Sequence, residues 1–365
     1  MRYLILLSLI LVFTLSSFAN ERVRIKAIAI PLADHYAAIV AYEKYRTKMR
    51  EADFKLLFLK GPKLVRAYFN TEDDADIAFN VSPMVMDMFS KNPNFKWVSL
   101  IHRDGNALTI NSLMNEKVKL PKDKKLRKPD AKVANAFSEF KKENSQATVC
   151  AVPSPLATHT TILYKYLKDH NKTLSFNKHS KADLILNIVK PPLSPVYLKK
   201  QSARSQAASF EQSLPWPEIA NMGGKSQIAW YSKDVMNTPK GHVECIIIAK
   251  NSVIEKKNAA LKEVIYYIHK AGQDIEKART LGGQQLEEII KMITRHIPAH
   301  TPEAIKESLN PDIMAINYKN LNIDQNSKDS FDEIMNLAYE AGFIKSKIDI
   351  NKLTDDSFNT TITQE

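Results

Sequence analysis

Between residues 23 and 249 the chain repeatedly sets a short apolar run beside a segment of helical periodicity, and this alternation limits the possible folds more than any single motif does. VRIKAIAI (23–30) alternates and then becomes wholly apolar, FKLLFLK (54–60) is similar, and ADIAFN (75–80), WVSLI (97–101) and ALTI (107–110) are short and apolar. Such runs suit strands buried beneath helices. Between the first two lies DHYAAIVAYEKYRTKM, with Asp34 placed to cap a helix carrying Ala38, Tyr42 and Tyr45 at helical spacing. A second set comprises QATVCAV (146–152), a helix from about Thr158 to Asp169, DLILNIV (183–189), QAASF (206–210) and SQIAW (226–230). VECIIIA (243–249) then leads into a helix whose Leu261, Ile265, Ile268 and Gly272 form an apolar stripe, and the remainder reads as helical. Strand–helix alternation with a break near 111–145 predicts an α/β protein of two lobes, residues 20–110 plus about 236–365 and residues 111–235. Ligands of such sheets sit beyond the strand ends, so a cleft between the lobes is the expected site.

The ends of the chain bear on where this fold works. MRYLILLSLILVFTLSSFAN has one Arg, an apolar block, and Ser17, Phe18 and Ala19 spaced like a cleavage signal. We read residues 1–19 as a secretory signal peptide, because the charge-free run from Tyr3 to Ala19 falls short of the ~20 residues that span a bilayer. The mature chain is expected to be soluble in a periplasm. Only Cys150 and Cys245 occur, so no disulfide framework underlies the fold, although one bridge between them stays open. Much of the net charge of +12 sits in KVKLPKDKKLRKPDAK (117–132), which reads first as a solvated loop and second as a weak steering surface for anions.

The common catalytic and cofactor signatures are missing. NMGGKS (221–226) imitates the end of a phosphate-binding loop, but Ile219 stands where that pattern requires glycine. No G-x-G-x-x-G, H-E-x-x-H, G-x-S-x-G or C-x-x-C occurs, and the nine histidines are scattered. In KGHVECIIIAK (240–250), strand alternation would put His242 and Glu244 on one side and Cys245 on the other, which argues against a local metal cage. No cofactor, metal or nucleic acid is expected.

The order of IPLADHYAAIVAYEKY, DIAFNVSPM, DGNALTIN, VPSPLATHTTILYKYL, FEQSLPW, KGHVEC and LAYEAGFIKSKIDINKLTDDSF resembles the solute-binding proteins of ABC importers in the nitrate and bicarbonate group. That group falls within the wider nitrate, sulfonate and taurine family. The resemblance covers nearly the whole mature chain and implies a two-lobed, type II periplasmic binding protein fold with the ligand held between the lobes. It also implies a pocket lined by Asp34 in the first strand-to-helix turn, Ser82 after the DIAFN strand, Asn106, His159 at a helix start, and Trp216 of the Pro215–Trp216 pair. Cys245 falls where nitrate binders of the family carry a Lys and bicarbonate binders an acidic residue tied to a metal ion.

The implied function is a monomeric, non-enzymatic periplasmic receptor. It would deliver a small ligand, a nitrate-, bicarbonate- or sulfonate-like anion or a related small molecule, to an ABC transporter permease. Cys245 leaves nitrate itself in question. The alternative is an exported enzyme or ligand sensor on the same fold, since thiamine-pyrimidine synthases share it and Cys245, Glu244 and His159 carry nucleophile and base chemistry.

Overall fold

The computed structural model describes residues 21–144 and 147–362, so the expected signal segment 1–19 lies outside the described residues. Strands β1 (Val23–Ala29), β2 (Ala52–Phe58), β3 (Ile77–Val81) and β4 (Phe95–Asp104) open a first sheet. The chain then builds a second sheet from β5 (Asn106–Asn111), β6 (Thr148–Val152), β7 (Leu174–Ser175), β8 (Leu184–Ile188), β9 (Ala208–Ser213) and β10 (Ser226–Tyr231). It returns to the first sheet as β11 (Val243–Lys250) and β12 (Ile316–Asn317). The resulting orders are β12-β4-β11-β3-β1-β2 and β10-β5-β9-β6-β8-β7.

The two sheets share one plan. In the first, β1 runs parallel to β2 and β3, and β11 inserts antiparallel between β3 and β4. In the second, β6 runs parallel to β8 and β9, and β5 inserts antiparallel between β9 and β10. In each sheet the antiparallel strand inserted beside the parallel ones, β11 or β5, is the first strand formed after a crossing between the sheets. The outward crossing is a single residue, Gly105, with φ of 105°. A Cβ there would stand 2.9 Å from Ile316 Cδ1, so both the backbone angle and the space call for glycine. The return crossing runs through the short helix Ser232–Met236 and residues 237–242.

Packing explains why the first sheet is so apolar. Helix Tyr36–Tyr45 is almost wholly buried, and Leu261, Ile265, Ile268 and Gly272 of helix Asn258–Leu281 are buried as the stripe predicted. At Gly272 a Cβ would come within 2.6 Å of the Tyr318 carbonyl oxygen, so this helix approaches the chain more closely than any larger residue permits.

Two expectations are corrected, and one open alternative is resolved. Asp34 caps no helix: it lies in a 3-10 turn, Ala33–His35, and its carboxylate accepts a hydrogen bond from Ser213 instead. The lysine-rich stretch is not simply a solvated loop, because Arg127 is buried and donates to the carbonyls of Ile228 (2.6 Å) and Pro121 (2.8 Å). Lys124 likewise bridges Glu218 and Glu307 at 2.9 and 2.6 Å. Apart from the Pro121 carbonyl, these partners (Ile228, Glu218 and Glu307) lie far away in sequence, so no local pattern announces them. Finally, Cys150 in β6 and Cys245 in β11 belong to different sheets and are both buried free thiols.

Candidate functional site

Four chain ends converge between the sheets. From the first come the turn after β1, with Asp34 and His35, and the start of β11, with Glu244 and Cys245. From the second come the end of β9, with Ser213, and the first turn of helix Thr158–Asp169, with His159. The start of β11 departs from simple alternation. Its register against β4 shifts between Val243 and Cys245 and again between Cys245 and Ile246. Val243 consequently packs in one core with Ile246 and Ile248, while Cys245, Ile247 and Ala249 pack in the other. An irregularity of this kind re-aims side chains, so the even/odd separation of Glu244 from Cys245 expected from the sequence is replaced by a shared position at the cleft. Glu244 reaches His159 of the other lobe, and Cys245 Sγ lies 3.5 Å from His35 Nε2.

A chain of polar contacts crosses between the lobes. Glu244 Oε1 lies 3.3 Å from His159 Nδ1, His159 Nε2 bonds Ser213 Oγ at 2.7 Å, and Ser213 Oγ donates to Asp34 Oδ2 at 3.1 Å. Thr158 Oγ1 donates to the Glu244 carbonyl (3.2 Å), and Ala33 N–H donates to the Leu214 carbonyl (3.0 Å). All of these side chains are buried. With Asp34 ionised, the single hydroxyl proton of Ser213 goes to Asp34, and the hydrogen in its bond to His159 then belongs to Nε2. The Nδ1 lone pair then faces Glu244, an arrangement that suits a protonated Glu244 carboxyl.

Burial sets the electrostatics. It pushes the Asp34 and Glu244 carboxyls upward, with mutual repulsion adding to the rise at Glu244, and it raises Glu211 as well. Four histidines that are scattered in sequence gather here. Burial lowers His35 to about 4 and His159 and His242 to about 3, and it also depresses His102, whose Nε2 is 3.9 Å from Asp34. All four are therefore neutral near pH 7, and the His102–Asp34 approach is a contact without an ion pair. Arg103 is buried nearby, but its guanidinium is spent on the carbonyls of Asn320 (2.9 Å) and Gly241 (3.0 Å) and on Ser327 Oγ (2.6 Å).

A cavity of about 20 Å³ lies at the end of the polar chain, room for roughly one or two water molecules. Asp34, His159 and Cys245 line it, together with His35, Asn80, Ser213 and an apolar wall that includes Leu32, Phe79, Val81 and Pro153. Of the other sequence-derived candidates, Ser82 donates to the carbonyls of Val243 and Glu244 and so fixes the start of β11. Asn106 is fully buried, with its amide beside the Glu244 carboxyl, and Trp216 packs edge-on against His300 at 5.2 Å. None of these three lines the cavity. Sequence reading missed His35, His102 and Ser213, which carry no motif; the loop-strand boundaries after β1 and β9 were the only available signal. Among the described residues no group of three His, Cys, Asp or Glu side chains is placed to hold a metal ion.

Two sheets of like plan, two crossings and a buried polar cluster between them define the two-lobed fold of periplasmic binding proteins. Solved structures agree. The ligand-binding component of an ABC-type import system from Staphylococcus aureus, with zinc bound, superposes with a TM-score of 0.69 at 14% identity, covering 92% of this chain and 97% of that one. The periplasmic nitrate-binding protein NrtA from Synechocystis PCC 6803 gives 0.71 at 15% identity, covering 93% and 87%. The alkanesulfonate-binding protein SsuA from Xanthomonas axonopodis pv. citri, bound to MOPS, gives 0.65 at 8% identity, covering 92% and 99%. Residues 19–290 match the model of the NMT1-like family, and the chain belongs to that family. No curated protein matches the sequence.

Proposed function

We propose that this protein is the periplasmic solute receptor of an ABC importer, which closes its two lobes over a small ligand and presents it to a membrane permease. The observation that carries this reading is the polar chain from Glu244 through His159 and Ser213 to Asp34, which is assembled from both lobes and lies beside a buried cavity. A site whose walls belong to different lobes exists only when they close, which is how a receptor couples ligand capture to a change of shape. Gly105 and residues 232–242 are the proposed hinge, and Asp34, His159 and Cys245 the proposed ligand-facing residues, with Asn106, Ser82 and Trp216 supporting them. The neighbours named for import and for nitrate or sulfonate binding support the reading through the fold they share.

The order hydroxyl, imidazole, carboxyl in Ser213, His159 and Glu244 also brings a hydrolytic triad to mind. With Asp34 ionised the hydrogens are arranged against it, because Ser213 directs its proton to Asp34 and His159 Nε2 then holds the proton of their shared bond. A binding protein is therefore the reading we adopt. Protein isolated from the periplasmic fraction, denatured and analysed by mass spectrometry, is expected to begin near Asn20 and to release a stoichiometric small molecule. Retention of residues 1–19 would count against export, and chemical turnover of the released molecule would favour an enzyme.

A further inference from the structure

The side-chain hydrogens that line the cavity are engaged, and the unpartnered side-chain atom on its wall is an acceptor. Ser213 Oγ–H is directed to Asp34, His159 Nε2–H to Ser213, and the shorter 2.7 Å contact of His35 Nδ1 assigns its hydrogen to the Ile30 carbonyl. His35 Nε2 then accepts from the Cys245 thiol at 3.5 Å, and the Asn80 amide is turned to Val81 N–H and Met88 Sδ. On the cavity wall Asp34 Oδ1 has no partner; behind the wall His159 Nδ1 faces the Glu244 carboxyl, and the Asn106 amide and the His102 ring are also unpartnered but do not line the cavity. Asp34 is only 1% exposed, so its free oxygen has no route to solvent in this closed arrangement. No Lys or Arg lines the cavity, and Cys245 on its wall is a buried thiol.

Resting on the receptor reading, we propose that the cleft selects a small organic ligand that presents N–H donors, neutral or cationic, on an apolar body, and rejects nitrate- and sulfonate-like anions. Asp34 is the primary acceptor. The donor end meets Asp34 Oδ1, and the body lies against Leu32, Phe79 and Val81 in a cleft closed less tightly than the empty form, whose cavity of about 20 Å³ holds only one or two waters. An anion placed there would meet a carboxylate and imidazole lone pairs with no cation to offset them, a desolvation that neutral walls do not repay. A donor ligand removes the same unpaired acceptors that make the empty closed form costly.

The test is a thermal-shift panel followed by calorimetry on the mature protein at pH 7.5. Small amines, amidines and aminopyrimidines are set against nitrate, nitrite, bicarbonate, ethanesulfonate and zinc chloride. At least one donor probe is expected to stabilise the wild type while the anions leave it unmoved, and Asp34→Asn is expected to weaken that probe about tenfold or more. Glu244→Gln, which keeps shape and removes the other carboxyl, guards against an Asp34 variant that fails to fold, and it is expected to weaken cationic probes more than neutral ones. Binding of nitrate or ethanesulfonate as tightly as any donor probe, or of zinc alone, overturns the ligand class and leaves the receptor reading standing. A panel without any binding overturns both.

Discussion

His159 and Glu244 stand on opposite lobes with Nδ1 and Oε1 3.3 Å apart, both buried and neither carrying a hydrogen-bond partner of good geometry on that side. The pair thus joins the lobes without being a salt bridge: burial holds the imidazole neutral and raises the carboxyl. In the proposed receptor its contribution would be a closed-state contact, felt when the lobes meet and absent when they part.

Replacing His159 by Ala removes the partner of Ser213 and the contact to Glu244 together. We expect the closed form to lose about 1–3 kcal/mol, the usual cost of leaving buried polar groups unpaired. Small-angle scattering of unliganded protein should then show a larger radius of gyration, and ligand affinity should fall roughly tenfold or more. Scattering and affinity both equal to wild type would remove His159 from the interface.

The pH response of closure follows from opposing shifts. Asp34 and Glu244 have closed-state pKa values raised above those of an open, solvated cleft, so the closed form binds more protons and weakens as pH rises through the raised values. His159 at about 3 and His35 at about 4 act in the opposite sense, since closure favours their neutral forms, but that effect is complete once pH exceeds about 6.5. Between pH 6.5 and 8 only the carboxyls remain active, so the closed fraction of empty protein should fall. Asp34→Asn should flatten the decline, as measured by scattering across that window; an unchanged slope would place the titrating group elsewhere.

Cys245→Lys inserts a long cation where the cavity holds only about 20 Å³. Overpacking alone costs about 1–3 kcal/mol, and burial of the ammonium adds to it. The variant should melt earlier and sit more open than wild type, whereas Cys245→Ser should stay close to wild type in both respects. A lysine variant that melts and scatters like wild type would show that the thiol does not face the closed cleft.

Gly105→Ala tests the outward crossing. The alanine meets Ile316 at 2.9 Å and a φ of 105° that side chains rarely adopt, a strain on the order of 1–3 kcal/mol. Urea denaturation should register that loss, while Gly224→Ala should cost less, because its φ is 73° and its added methyl group meets nothing within 4 Å. Equal costs at both sites would mean that Gly105 is relieved by movement of β12.

The fold class was readable in the sequence because strand and helix periodicities are local. Helix Thr158–Asp169 falls where its pattern placed it, and the stripe Leu261, Ile265, Ile268 and Gly272 is buried as its spacing predicted. The site was only partly readable. Asp34, His159 and Cys245 were named through the resemblance and meet at one cavity, but Asp34 was first read as a helix cap, since an Asp before an apolar helical run has the same local appearance whether it caps or faces a cleft.

The sequence by itself determined the alternation of strands and helices and the positions of the buried stripes, because each depends on neighbours within a few residues. Only the tertiary structure decided that His35, His102, His159 and His242 gather, that Ser213 joins His159 to Asp34, and that Glu244 and Cys245 share the cleft. Those facts depend on residues as far apart as Asp34 and Ser213 and on a shifted strand register, and their consequences for protonation arise only when several polar groups lose water together.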